Sequence, residues 1–375
     1  MSAMADPRFD PLSELREGGE EEFDVFTWGT VFLDIIFSGL ERLPAPGAEE
    51  WAGGMASCPG GVANLAVAAR RLGLRTALAA AFGDDDYGDF CWRTLAEQEH
   101  VDLTRSRRFE GWHSPVTVSM SVHNDRSMVT HEHPAPMSPD ALIGRPPRAK
   151  AVIVDLAACR AFGSDDPTWV ELARADGSLV FADLGWDPSG SWPASVLDHL
   201  GHCHAFTPNA AEAMAYTRTA TPQEALYAIA DLVPLAVVTN GPEGALAIDS
   251  GTGEECRMPA LRVQELDPTG AGDVFAAALV LGTLKGWPLH DRLAFSTLCS
   301  GLAMQQYGGS LAAPGWGDIA DWWTCLRESN AKDAYSVSVR RRYSFLEGIV
   351  TDVPAEACRR ATATIARLAD TPGFA

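Results

Sequence analysis

An α/β fold built on a mainly parallel sheet, with helices on both faces, is what this 375-residue sequence predicts. Three observations carry that expectation. The stretches KAVIVDLAA (150–158), GSLVFADLG (177–185) and PLAVVTNGP (234–242) are short, continuous apolar runs, the texture of strands buried on both faces. Helical segments separate them, PQEALYAIADLV (222–233) most plainly. Near the start, GGVANLAVAARRLGL (60–74) adds a glycine turn that feeds an amphipathic helix. Buried strands alternating with helices form a parallel sheet with both faces covered.

Taken in order, FDVFTWGTVFLDIIF (23–37) reads as a buried strand ending near Gly29, followed by a turn into a second strand or loop. Pro44, Pro46 and Gly47 then break the pattern. The helix within 60–74 takes Gly73 as its C-cap. TALAAAFGDDDYG (76–88) is a strand running into an acidic turn, and DFCWRTLAEQEH is a helix. Residues 112–133 alternate like a β-hairpin turning at Asn124-Asp125. Val274 to Leu284 has no breaker before Gly282 and reads as a buried helix. After Pro314 the texture changes: DIADWWTCLRES is amphipathic, SVRRRYSF is a basic island, and VPAEACRRATATIARLAD is a capped helix. Residues 315–375 are therefore expected to form a C-terminal helical extension with no place on the main sheet. Residues 1–22, with Gly18, Gly19 and the Glu20–Glu22 run, are expected to be a flexible acidic tail.

The net charge of −21 argues against nucleic acid or an acidic membrane surface as a main partner, though a local field can still attract an anionic substrate. The eight cysteines are scattered with no C-x-x-C, which suits neither a zinc site nor a small disulfide scaffold. Thiols in a reducing cytosol are the simplest account, and a cytoplasmic location is expected. There is no signal-peptide pattern and no apolar stretch long enough to span a bilayer. The only lysines are Lys150, Lys285 and Lys332, and none follows glycine, so no G-x-x-x-x-G-K-[ST] loop is present.

The segment LDPTGAGDVFAAALV (266–280) sets Gly270, Ala271, Gly272 and Asp273 at the start of a buried helix. Backbone N–H groups there have no helical carbonyl to serve and attract an anion, typically phosphate. Asp273 has two readings. It is an N-cap, or it is a base that takes a proton from a hydroxyl while the amides steady the phosphate being attacked. Asn209 and Glu212 stand three apart, on one side of a helical turn, and equally suit a helix start. Thr239 and Gly241 leave a buried strand, where glycine permits close approach of a ligand. Asp34 could accept hydrogen bonds from paired hydroxyls, or be a solvated edge residue. His131 and His133 would share a strand face with no third ligand evident.

Five motifs, in order over about 23–314, resemble the ribokinase, or PfkB, family of carbohydrate kinases. They are GGVANLAVAARRLG, FGDDDYG, the PNAAE of Pro208–Glu212, VTNGPEG (238–244) and the DPTGAGD of 267–273. The resemblance implies a ribokinase-like three-layer sandwich with a small β lid, from about 30–55 and 110–135. It implies ATP as phosphoryl donor and a sugar-like hydroxymethyl acceptor, with Asp273 as base and an anion hole at Gly270–Gly272. Asn209 and Glu212 would organise Mg²⁺ largely through water. Thr239, Gly241, Gly244 and Thr269 would meet the nucleotide, and Asp34, Gly60, Gly61, Asn64 and Asp183 the acceptor. Asp267 and Thr269 match part of a monovalent-cation (K⁺) site, although AMQQYGGSLAAP lacks a clear match for its serine end. The lid implies a homodimer.

Two departures stand out. Asn64 lies three residues past Gly61 where four is common, and DLGWDP has glycine where many sugar-acid and fructose members carry Asn. Sugar kinase is the first reading and nucleoside kinase the second. A non-catalytic sugar- or nucleotide-binding relative is opposed by the intact Asp273 and the Asn209/Glu212 pair. A dinucleotide-binding oxidoreductase is weakened because no G-x-G-x-x-G follows the first strand.

Overall fold

A computed structural model describes residues 9–15, 21–122, 125–159, 162–163, 166–185 and 189–350. The strands among them are β1 (Phe23–Trp28), β2 (Val31–Leu40), β3 (Gly54–Gly61), β4 (Thr76–Ala79), β5 (Ala81–Gly83), β6 (Arg107–Phe109) and β7 (Val116–Val122). They continue with β8 (Asp125–His131), β9 (Ala149–Asp155), β10 (Leu179–Asp183), β11 (Ala205–Phe206), β12 (Leu235–Thr239), β13 (Ala245–Asp249) and β14 (Glu254–Met258). The main sheet has the order β14-β13-β12-β11-β10-β9-β1-β4. Pairing is parallel from β4 to β12 and antiparallel at the β13–β14 edge.

Alternate residues of each strand feed opposite helical layers, because successive side chains point to opposite faces. Val25, Ile153, Phe181 and Val237 pack with helices Ala271–Leu284 and Leu289–Ala303, while Phe26, Val152, Val180 and Val238 face helices Trp169–Ala175 and Pro222–Ala230. The continuous apolar strands of the sequence are thus buried on both sides. Their observed bounds are a few residues inside the expected ones, since the polar ends become turns.

The second sheet has the order β3-β2-β7-β8. β2 pairs antiparallel with β3 and parallel with β7, and β7 and β8 form the expected hairpin with Val122 opposite Asp125. His123 and Asn124 lie outside the described residues. The lid reaches further than 30–55, because β3 runs to Gly61 and delivers Gly60 and Gly61 to the foot of helix Val62–Arg71. The FGDDDYG turn ties this hinge down. Asp85 accepts the N–H groups of Gly88 and Ser114, each at 2.7 Å, and Asp84 accepts that of Gly111 at 3.0 Å. The expected 89–100 helix begins earlier, at Asp86, and gives way at Thr94 to a five-residue π-helical turn.

Two expectations at the ends change. Within the expected tail, Leu12 is fully buried in the main core and Phe9 meets the Trp316 ring edge-on at 5.1 Å. A flexible tail over all of 1–22 is therefore wrong for the Phe9–Leu15 stretch, because one aliphatic anchor fills a gap between helices. Beyond Pro314 the described part of the extension, helices Trp316–Glu328, Ala334–Arg342 and Glu347–Val350, is continuous with the main core. Trp316 is 1% exposed, donates its indole N–H to the Leu72 carbonyl at 2.9 Å and stacks on Phe295. The helix expected at 353–370 lies outside the described residues.

Candidate active site

The parallel strands end at one rim, where ligand crevices of open α/β sheets form. β9 ends at Asp155 and β10 at Asp183. The turn after β11 leads to Asn209, which bridges to Thr239 at the end of β12. Helix Ala271–Leu284 aims its first turn at this rim.

Gly270 caps that helix in the left-handed region, at φ +79°, which favours glycine. A β-carbon there would press on the Asn64 side chain at 3.2 Å, so the turn and the helix that carries Asn64 are in close contact. The Ala271 N–H closes a turn on the Pro268 carbonyl at 3.1 Å, so one of the three amides expected to face an anion is already engaged. Asp273 stands in the first turn, half-buried. Loss of water raises its pKa from 3.8 to about 6, against the lowering pull of a hydrogen bond from the Asn64 side chain and of its own N–H.

Asp155, Asp183 and Glu212 gather beside it. Burial, then the charges of Glu212, Asp273 and Asp155, hold the Asp183 carboxyl well above its usual value. Burial first, and Asp155 last, likewise raise Glu212. Asn209 and Glu212 stand at a helix start, as their spacing also suited, and cap it reciprocally, each accepting the other's N–H at 3.0 Å. Asp155 is not among the residues singled out from the sequence, though it ends the apolar run AVIVD just as Asp183 ends LVFAD. The departure at Gly185 has a local use: its N–H donates to Asp155.

On the lid side, Asp34 on β2 is 8% exposed and lies over Gly60, where a β-carbon would fall 1.9 Å from the Asp34 carboxylate oxygen. Glycine at 60 is what leaves that carboxylate room. Gly61, at φ +61°, passes within van der Waals range of the Thr30 carbonyl, so the two glycines have separate uses, one for Asp34 and one for the helix entry. Asn64 Oδ1 is buried without a hydrogen-bond partner. Gly309 presses close to it and to Thr269, and the neighbouring Ser310 hydroxyl donates to the Pro59 carbonyl. The GGS of 308–310 thus packs against Asn64, Thr269 and Pro59; its double glycine was the available signal. Asp267 accepts the Thr269 N–H at 3.0 Å through one oxygen, and its other oxygen is buried and unpartnered.

Across the Gly270–Gly272 turn lies a cavity of about 550 Å³, lined by Thr239, Gly241, Gly244, Gly272, Phe275 and Gly301 among others. Gly244, at φ +94°, brings the backbone so close to the Met258 carbonyl that no side chain fits. The candidate residues therefore form three groups, the carboxylates Asp155, Asp183 and Glu212, the Asp34–Gly60–Asn64 cluster and the cavity lining, that adjoin Gly270–Asp273. The histidines are elsewhere. His113, His131 and His133 contact one another edge-on on the lid, and among the described residues no three His, Cys, Asp or Glu side chains are arranged to hold a metal. No described helix is long and apolar enough to cross a membrane.

A glycine turn at a helix start, a carboxylate in its first turn and a cavity beside it lie at the carboxyl ends of the strands of an α/β sheet, where such folds form their ligand crevices. The model of the pfkB family carbohydrate kinases matches residues 28–315, and the chain belongs to that family. It is 31% identical over 311 residues to a fructokinase of Klebsiella pneumoniae, covering 77% of this chain and 92% of that protein. It is 25% identical over 312 residues to a nucleoside kinase of Methanothermobacter thermautotrophicus, covering 81% and 96%. The fold matches Arabidopsis thaliana ribokinase complexed with ribose and ATP at a TM-score of 0.63 and 21% identity, over 78% of this chain and 96% of that one. The three-layer, ribokinase-like α/β architecture is thereby established, and with it a kinase of the sugar and nucleoside class.

Proposed function

We propose that this chain transfers the γ-phosphoryl group of ATP to a hydroxymethyl group of a sugar or sugar-like acceptor. The observation that carries the reading is the position of the Gly270–Asp273 turn, with Asn64 touching it from one side and the cavity of about 550 Å³ opening on the other. Asp273 accepts the proton of the attacking hydroxyl, a task suited by a pKa near 6, and the Gly270 and Gly272 amides face the charge of the transferred group. Asp34 and Asn64 Oδ1 accept hydrogen bonds from acceptor hydroxyls, and Asp183, beside Asp273, is assigned to the same acceptor. Thr239, Gly241 and Gly244 form the nucleotide wall.

Mg²⁺ would sit near these carboxylates through water rather than in a direct three-carboxylate site: the charges of Glu212 and Asp155 raise Asp183, that of Asp155 raises Glu212, and a divalent cation nearby relieves that repulsion. Glu212 and Asn209 would hold it largely through water, their cap bonds already engaging one oxygen of each. When bound, it neutralises charge on the nucleotide phosphates. The unpartnered Asp267 oxygen likewise fits a monovalent cation, with Thr269 adjoining. We further propose a cytoplasmic protein, with no nucleic-acid or membrane partner, that pairs through its lid, where Met128 and Val129 are exposed.

The test is ADP formation from ATP over sugars, sugar phosphates, sugar acids and nucleosides. A sugar-type acceptor supports the reading, a nucleoside replaces it with the second one, and ADP from none of them favours a binding protein. Asp273→Asn should retain ATP binding and lose at least ~10²-fold in turnover; near-normal turnover removes Asp273 from the base role.

A further inference from the structure

The segment 334–343 lies outside the family match and outside the lid, yet it holds two sides of the ATP cavity. The Tyr335 hydroxyl accepts the backbone N–H of Arg262 at 2.9 Å, and the Arg262 guanidinium sits 4.4 Å over the Tyr335 ring. Arg342 donates to the Pro259 carbonyl at 2.9 Å. Residues Ala260–Val263 line one side of the cavity. The opposite side belongs to helix Leu289–Ala303, where Thr297 lines the cavity and shares a buried 3.2 Å hydrogen bond with the Tyr343 hydroxyl. Leu261 packs on Gly301, so the two sides also touch each other.

We infer that Tyr335 and Tyr343 are positioning residues for the nucleotide: this accessory segment fixes the spacing of the 260–263 loop against helix 289–303, and so sets ATP affinity. The inference rests on the nucleotide reading of the cavity. A cation over an aromatic ring and a hydroxyl–amide hydrogen bond are each modest, but both act on one short irregular segment with no strand partners of its own. Tyr335 is half-buried at the surface, so its truncation leaves the core intact.

The test is titration of the full chain with MgATP by calorimetry. Tyr335→Ala should weaken ATP binding about five- to tenfold, and Tyr335→Phe, which keeps the ring under Arg262, less than about threefold. Leu12→Ala serves as a control that lowers the melting temperature without touching the cavity lining. Failure of the wild-type chain to bind ATP sinks the nucleotide reading and this inference with it. ATP binding by wild type with Tyr335→Ala unchanged within about twofold overturns the inference alone. Equal weakening by Leu12→Ala would show general loosening and overturns it too.

Discussion

Asp273 carries a cost that can be measured without knowing the acceptor. Its carboxyl is raised from 3.8 to about 6 chiefly by loss of water, so the folded chain binds that proton more tightly than the unfolded chain does. Stability from this group is fully present below pH 4 and is lost as pH rises through 6. At about 1.4 kcal/mol per unit, the shift corresponds to about 3 kcal/mol at pH 8, and residual hydration of the half-buried group brings the expectation to about 2 kcal/mol. Asp273→Asn removes the charge, keeps the shape, and retains an acceptor for the Asn64 side chain. The variant should therefore be more stable than wild type at pH 8, by roughly 2–3 °C in melting temperature, while losing turnover. Thermal denaturation of both proteins from pH 8 down to pH 4.5 checks this. The gain must shrink as the pH falls through 6. A variant no more stable at pH 8, or a gain independent of pH, would refute the assignment of a desolvated charge at this position.

With an acceptor in hand, kcat/KM should fall with unit slope below pH ~6, not pH ~4, if Asp273 must be ionised; a limb near 4 in the pH–rate profile would contradict it. Gly60→Ala forces the Asp34 carboxylate aside and should raise acceptor KM by about tenfold or more, with ATP affinity retained, as steady-state kinetics would show. Arg71 and Glu99 form a fully buried pair, and the Arg71 guanidinium also donates to the Leu311 and Ala313 carbonyls. Arg71→Met leaves the Glu99 charge unpaired and should lower stability by about 3–5 kcal/mol in urea unfolding. Removing residues 1–15 should destabilise by about 2–4 kcal/mol because Leu12 is lost from the core; an unchanged urea midpoint would return the segment to a dispensable tail.

Much of this chain was legible one segment at a time. Strands with apolar residues at every position announce burial on two faces, and a glycine before a small-apolar helix announces an exposed first turn. The Asn209–Glu212 spacing announces a helix start, since each of these properties is set by neighbours within a few residues. Tertiary structure alone decided which charges meet. Asp155, Asp183 and Glu212 come from three chain positions and share a rim only because β9, β10 and β11 are adjacent. The contact of Gly309 with Asn64, the burial of Leu12 and the grip of Tyr335 on the cavity loop join residues hundreds of positions apart in some cases. Local periodicity carries no information about strand order or about which helix a distant aromatic will find. Those choices follow from filling one core and satisfying its buried polar groups, which is a property of the whole fold.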